Sequence, residues 1–387
     1  MRTLLFTALA AASFTSFAAQ PLLPASEGDQ VPQRLVSIAA PTGDFERAPV
    51  SFSWGLDPAA ELSESAPHLA ESREYWQTVN GTELARGIDL DVSAPGALIR
   101  ISPARSAKNL SVADLALSGN NGRSARLEKL ASDVELQAAG MDVDAGTVMV
   151  RMGRENAPGR YKLRAPNANG RYVMHVFEPD SQVVLKARAN RNHALVGETV
   201  SIDVALTDSG KAVAARAEAL LVSPDGNSHE VEVKQGRNNR LSGSVQLPSG
   251  TVSAPGLWEL QVFSSGKGVQ RDARTAFAVA QPTARLKGQH DADARLLRVS
   301  LPVEAASAGR YEVRGTLFAT GPDGTLGPVV QSHTAAWFES GNGVLVLDFD
   351  RGNLPSGYGA PFEVRQLELH DQTRMAPLEI RARGLRF

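Results

Sequence analysis

Few side chains in this sequence are spaced for chemistry, and the least weak signal is acidic. Four Asp-x-Asp pairs occur, at 89/91, 142/144, 291/293 and 348/350. Along a strand each pair projects to one side, and a hard cation such as calcium takes several oxygens within about 2.5 Å. The run "DFDRGN" adds Asn353 next to the last pair, which makes Asp348 and Asp350 the candidate calcium ligands. Solvent-facing alternation in a half-buried strand produces the same spacing, and neither an EF-hand loop nor a glycine-aspartate repeat accompanies it. Beyond calcium at that pair, no cofactor is expected.

Nucleophilic and zinc chemistry have less to work with. The chain holds no cysteine and no Gly-x-Ser-x-Gly elbow. Its seven histidines, at 68, 175, 193, 229, 290, 333 and 370, lie apart, with no His-x-x-x-His or His-Glu-x-x-His spacing. His175 and His229 fall within expected strands, where packing or solvation accounts for them. Four tryptophans remain, Trp54, Trp76, Trp258 and Trp337, which could stack on sugars if exposed. Of these, Trp258 belongs to a core by its alternation, and Tyr75-Trp76 beside the "VNGT" turn is the expected surface pair.

The elements that would carry these groups are mostly strands. Residues 183–189, 199–206, 217–223, 229–234, 240–247, 256–263 and 274–279 read as seven short strands with "TDSGK", "SPDGN", "QGRNN" and "LPSGT" among the turns between them. In the second, Val200, Ile202, Val204 and Leu206 alternate with Ser201, Asp203, Ala205 and Thr207, the period of a strand buried on one face. Seven such strands in about a hundred residues predict an immunoglobulin-like sandwich. Further strands are expected at 296–301, 310–319, 329–338, 343–349, 362–370 and 378–383. In the first third, "IDLDVSAPGALIRISP" and "DAGTVMVRMG" read as strands. "SARLEKLASDVELQAAG" instead places Leu127, Leu130, Val134 and Ala138 at helical spacing and stops at Gly140.

One hexamer recurs: "PGRYKL" at 158–163, "PGLWEL" at 255–260 and "AGRYEV" at 308–313. Its glycine makes a turn, and the ring two residues on is the first large side chain delivered to a core. That ring buries roughly 150–250 Å² and keeps a polar tip able to bond backbone near the turn, as in a tyrosine corner. The hexamer is therefore expected to be a folding device, with Tyr161, Trp258 and Tyr311 inside.

The N-terminus indicates the compartment. Arg2 followed by "LLFTALAAA" and the small residues around Ser16-Phe17-Ala18 reads as a signal peptide over residues 1–18. With no cysteine for bridges or for a lipid anchor, this points to an exported bacterial protein, periplasmic or extracellular. The 40 basic and 42 acidic residues nearly cancel, and no block of five or more Lys/Arg supplies a nucleic-acid footprint. No later stretch reaches eighteen apolar residues, so no membrane span is expected in the mature chain. A terminal barrel strand is excluded by Arg383, Arg381 and Glu379 on the row of Leu385.

Two resemblances follow from these residues. "LVGETVSIDV" with the later "PGLWEL" resembles immunoglobulin-like repeats of secreted bacterial proteins over roughly 181–281, and "APFEVRQLELHDQTRMAPL" resembles closing strands of their accessory β-domains. Together with "APGALIRISP" and "RDARTAFAV", the chain is similar to a family of uncharacterised secreted bacterial proteins, a domain-of-unknown-function family with three β-domains, the middle one immunoglobulin-like. The resemblance brings no catalytic residues. The expected organisation is mainly β: a signal peptide at 1–18, a β-rich domain with one or two short helices at 19–180, an immunoglobulin-like sandwich at 181–281 and a β-sandwich at 282–387. The expected function is a non-enzymatic exported binding or spacer module of the cell envelope or cell exterior, its partner a protein or a glycan. The alternative is a carbohydrate- or protein-binding accessory to a secreted hydrolase.

Overall fold

Alternating apolar residues make the strands, and the strands assemble into two compact units, Met1–Glu64 with Ala280–Phe387 and Ser65–Val279. The computed structural model describes residues 19–40, 42–62, 66–119, 121–250 and 256–387. The expected signal peptide lies outside the described residues. The chain is mainly β, and the described residues hold two short α-helices and antiparallel sheets.

The unit Ser65–Val279 holds two sandwiches. In the first, a sheet ordered Glu74–Asn80, Arg171–Phe177, Leu98–Pro103, Val148–Met152, Leu127–Ser132 shares one core with the sheet built on Ile88–Val92, Gly159–Arg164 and Ala116–Gly119. Ile99, Ile101, Val150, Tyr172, Met174 and Val176 face that core from successive strands, each at a spacing of two. The helical reading of residues 124–140 holds only in part. Leu127–Ser132 is a strand paired with Val148–Met152, and the helix is the six residues Asp133–Ala138. Strand pairing supplies Leu127–Ser132 with backbone partners that a lone helix end would leave to water. Ser132 and Glu135 then cap the helix reciprocally where the strand stops.

The second sandwich follows the expected strands closely, as Val183–Ala189, Thr199–Asp208, Ala215–Val222, Leu241–Gln246, Leu257–Gly266 and Val269–Ala280, with the region 229–234 divided between Ser228–Val231 and Val233–Gln235. Val200, Ile202, Val204 and Leu206 are all buried, facing Leu221, Leu260 and Val262 of the opposite sheet. One strand enters from outside the expected 181–281 range: Ala70–Ser72 pairs with Val183–Ala189.

The other unit differs more from expectation. The sheet ordered Val50–Gly55, Leu326–Phe338, Gly309–Thr320, Gly359–Asp371, Ala376–Arg386 packs on one containing Gln289–Asp293, Arg298–Ala305 and Gly341–Asp348. Residues 20–21 pair with Gln289–Asp293, and Gln30 bridges Ile380. The strands and bridge within residues 20–55 thus belong with the C-terminal sandwich instead of forming part of a 19–180 domain. Short strands with polar alternation satisfy their backbone wherever an edge is open, and local sequence does not say which edge that is.

The three hexamers deliver their rings inward. Trp258 and Tyr311 are buried and Tyr161 is half-buried against the first core. The Tyr161 hydroxyl donates to Ala157 O at 2.5 Å and the Tyr311 hydroxyl to Ser307 O at 2.8 Å, each four residues upstream. The glycines serve two different ends. Gly256 takes φ +138°, an angle side chains disfavour, whereas Gly309 leaves room for its neighbours: an added Cβ would sit 3.1 Å from Arg374 Nη1 and from Thr373 Oγ1.

Candidate functional site

The strand Val50–Gly55 is the edge of its sheet and is exposed along nearly all its length. Its sequence, "VSFSWG", alternates small residues with apolar ones, and antiparallel pairing with Leu326–Phe338 turns the two sets to opposite faces. Ser51 Oγ meets Thr334 Oγ1 at 3.0 Å and Ser53 Oγ accepts from Asp350 N–H at 3.1 Å on the inner side. Phe52 and Trp54 stand on the outer side at 52% and 39% exposure.

Register places His333 directly opposite Phe52. The three rings form a patch: Phe52–Trp54, Phe52–His333 and Trp54–His333 centroids lie 5.7, 5.2 and 5.0 Å apart, with planes within 27° of one another. His333 is held from below, its Nδ1 2.6 Å from Glu312 Oε1, and Glu312 also accepts from Gln372 Nε2 at 2.7 Å. The bond from His333 holds the Glu312 carboxyl below the ordinary carboxylate range against the opposing pull of burial. Glu368 continues the polar face, receiving Arg314 Nη2 at 2.6 Å and lying 2.8 Å from His370 Nε2. Burial pushes the Glu368 carboxyl up, and His370 and Arg314 more than reverse it, so its net displacement is downward. The result is a pair of exposed rings stacked against the largely covered imidazole of His333 and bordered by a fixed row of carboxylates, a second imidazole and a guanidinium.

A rival cluster lies in the unit Ser65–Val279. His175 Nε2 is 2.9 Å from Glu74 Oε2, and Asp272 accepts from Trp76 N–H at 2.7 Å with its carboxyl raised by burial. A cleft of about 400 Å³ there is lined in part by Glu71, Arg73, Glu74, Trp76, Asp272 and Arg274. The Trp76 ring, however, is already engaged by His175 at 4.0 Å and by the Arg100 guanidinium at 4.9 Å. Tyr75, expected at the surface, is 2% exposed and belongs to the core, because its neighbour Trp76 takes the outward position of the same strand. The "VNGT" turn is the start of a helix, Gly81–Arg86, capped by Asn80 and Glu83.

Asp348 and Asp350 occupy different settings. Asp348 receives Arg298 Nη2 at 2.6 Å, and Asp350 Oδ1 receives Gly352 N–H at 2.8 Å at the start of a short 3₁₀ turn. Among the described residues no group of three or more acidic or histidine side chains is placed to hold a metal ion. Of the earlier pairs, Asp89 and Asp91 face Arg160 across the sheet. Trp54 was legible as a candidate ring. Phe52, His333 and Glu312 were not, although two rings separated by serine in an otherwise uncharged strand were the available signal.

Fold and site together define a tandem β-sandwich protein with an exposed aromatic patch on one sheet. Two models of a single family match the sequence, the Domain of unknown function (DUF4785) N-terminal domain at residues 41–178 and its C-terminal domain at 283–387. Between them they account for well over half of the chain, which belongs to the DUF4785 family. A DUF4785 family protein from Legionella pneumophila has a similar crystal structure, with TM-score 0.70 at 20% identity over 92% of this chain and 98% of that one, a likeness that shows a shared fold. Alpha-2-macroglobulins from Escherichia coli and Salmonella align at TM-scores of only 0.21 and 0.27, with 14% and 16% identity, over 74% and 82% of this chain and 22% and 20% of theirs. No curated protein matches the sequence.

Proposed function

We propose that this protein is a non-enzymatic, exported binding module of the cell envelope or cell exterior, and that the Phe52–Trp54–His333 patch is its contact surface. One observation carries the reading: two exposed rings, Phe52 and Trp54, nearly parallel to each other and to the His333 imidazole beside them, stand on a sheet face where strand alternation ordinarily places charged or polar groups. The His–Glu pairs support a non-catalytic role. Each imidazole is tied to a carboxylate within a strand ladder, and among the described residues no serine or threonine hydroxyl bonds to His175, His333 or His370.

A second reading, a carbohydrate-binding accessory to a secreted hydrolase, is favoured by the mixture at this face. Ring faces take the C–H side of a sugar, and Arg314, Gln372 and the carboxylates supply partners for its hydroxyls. The test is a thermal-shift screen against soluble polysaccharides and peptidoglycan fragments, with the Phe52→Ala/Trp54→Ala double variant beside the wild type. A ligand of the patch raises the melting temperature of the wild type and leaves the double variant where it was. Equal stabilisation of both would place the site elsewhere and refute the assignment.

A further inference from the structure

The strand that carries two of these rings has a second property, which lies in its backbone. Leu56 N–H donates to Val329 O at 2.8 Å, and this sets the phase of the ladder. In an antiparallel pair alternate residues turn both backbone groups to the same side, so Val50, Phe52 and Trp54 bond inward to Leu326–Phe338. Ser51, Ser53 and Gly55 turn theirs outward, where among the described residues no other strand pairs with them. Natural edges are usually blunted by lysine, proline, a bulge or a covering loop. "VSFSWG" contains neither lysine nor proline, its pairing shows no register shift, and five of its six residues are exposed.

We infer that this edge pairs with the same edge of a second copy of the chain, joining two five-stranded sheets into one of ten strands across a twofold axis. Three features of the strand favour a copy of itself over a foreign segment. The sequence is nearly palindromic about Ser53, with Phe52 and Trp54 on either side and the small residues Ser51 and Gly55 beyond them. Antiparallel pairing centred on Ser53 joins Ser51 to Gly55 and Ser53 to Ser53 through the backbone. Phe52 then stands directly opposite Trp54 of the other copy, a cross-strand aromatic pair made twice. Charge also agrees: the nearest charged residue before the strand is Arg47 and the nearest after it is Asp57, so antiparallel pairing brings opposite signs toward each end.

This inference rests on the reading of that face as a contact surface and extends it, because the dimer lays both patches side by side as one strip of six rings. The experiment is sedimentation velocity of the full chain from about 1 to 200 μM. The wild type is expected to double its weight-average mass across that range, and Ser53→Pro to weaken association at least tenfold. Proline at this position removes an outward N–H, which an edge strand tolerates, together with the Ser53 hydroxyl that accepts from Asp350 N–H on the inner side. A wild type monomeric at the highest concentration, or a Ser53→Pro variant that dimerises equally well, overturns the proposal.

Since the chain has no cysteine, Ser53→Cys gives an independent measurement that does not depend on how proline is accommodated. With an added oxidant it should form a covalent dimer, the twofold bringing the two Cα atoms within disulfide reach, while Ser209→Cys, on an exposed turn of the Ser65–Val279 unit, should not. Equal crosslinking of both, or of neither, overturns the inference. Ser53→Pro keeps all three rings, so its response in the ligand screen separates the two claims: a dimer without a ligand leaves this inference standing, and a ligand bound by a monomer leaves only the patch.

Discussion

Arg271 is fully buried, and what surrounds it makes a quantitative forecast possible. Its Nε donates to Val183 O at 3.1 Å and its Nη1 to Gln270 O at 2.7 Å. Its Nη2 reaches Ser93 Oγ at 2.8 Å, Ser181 Oγ at 3.0 Å and the carboxylate of Glu178. Glu178, equally buried, also accepts from Ser93 N–H at 2.6 Å and Ala94 N–H at 3.1 Å. The pair links residues of both sandwiches of the Ser65–Val279 unit. Replacing Arg271 with Met removes the cation and leaves a buried carboxylate and two backbone carbonyls without their partner. Breaking a buried pair from one side costs about 3–5 kcal/mol. For a unit of this size that lowers the melting temperature by roughly 10 °C. Removing both charges in Arg271→Met/Glu178→Leu should cost less than the two single changes together, by about 2 kcal/mol or more. Urea unfolding of the full chain, followed by fluorescence, reads the loss. A single-variant cost under about 1 kcal/mol, or costs that simply add in the double variant, would refute the reasoning.

Other consequences concern acid, packing and metal. Glu363 is 1% exposed and gathers Arg365, Arg383 and Arg386, with Nε distances of 2.8, 2.7 and 2.7 Å. Burial pushes its carboxyl up, but the three guanidiniums bring it from 4.5 down to about 2. A depressed carboxylate stabilises fully above its unfolded value and loses that contribution as pH falls from about 4.5 toward about 2. Glu363→Gln should therefore cost about 1–3 kcal/mol at pH 7, the solvent exposure of Arg383 and Arg386 keeping it below the full shift, and almost nothing near pH 2. Thermal scans over that range check both halves. Tyr311→Phe deletes the bond to Ser307 O and should cost about 1 kcal/mol, while Trp258→Ala should cost about 3–5 kcal/mol, each read by chemical denaturation. Millimolar calcium should leave the melting temperature within a degree, since Asp348 is neutralised by Arg298, and a clear rise abolished by Asp348→Asn would reverse that view.

Much of the architecture was legible in the residues alone, because a two-residue period is a local property. Val200, Ile202, Val204 and Leu206 had to share a face whatever they packed against, and the glycine-led hexamers announced rings that enter a core. Mainly β structure and most strands of the middle sandwich followed from that periodicity and from turn chemistry. Partnership between distant strands was not written locally. Nothing in "VSFSWG" says that it pairs with residues almost three hundred positions later, and only that pairing brings Phe52 and Trp54 to His333. Helical spacing at 124–140 misled for the same reason: a neighbouring strand offered Leu127–Ser132 backbone partners that outweighed a weak local preference. The buried Arg271–Glu178 pair was equally invisible, since a charge tolerates burial only where the fold closes a partner and several carbonyls and hydroxyls around it. Sequence determined which residues turn inward along each strand; tertiary structure decided which edges meet, and with them which rings are left facing water.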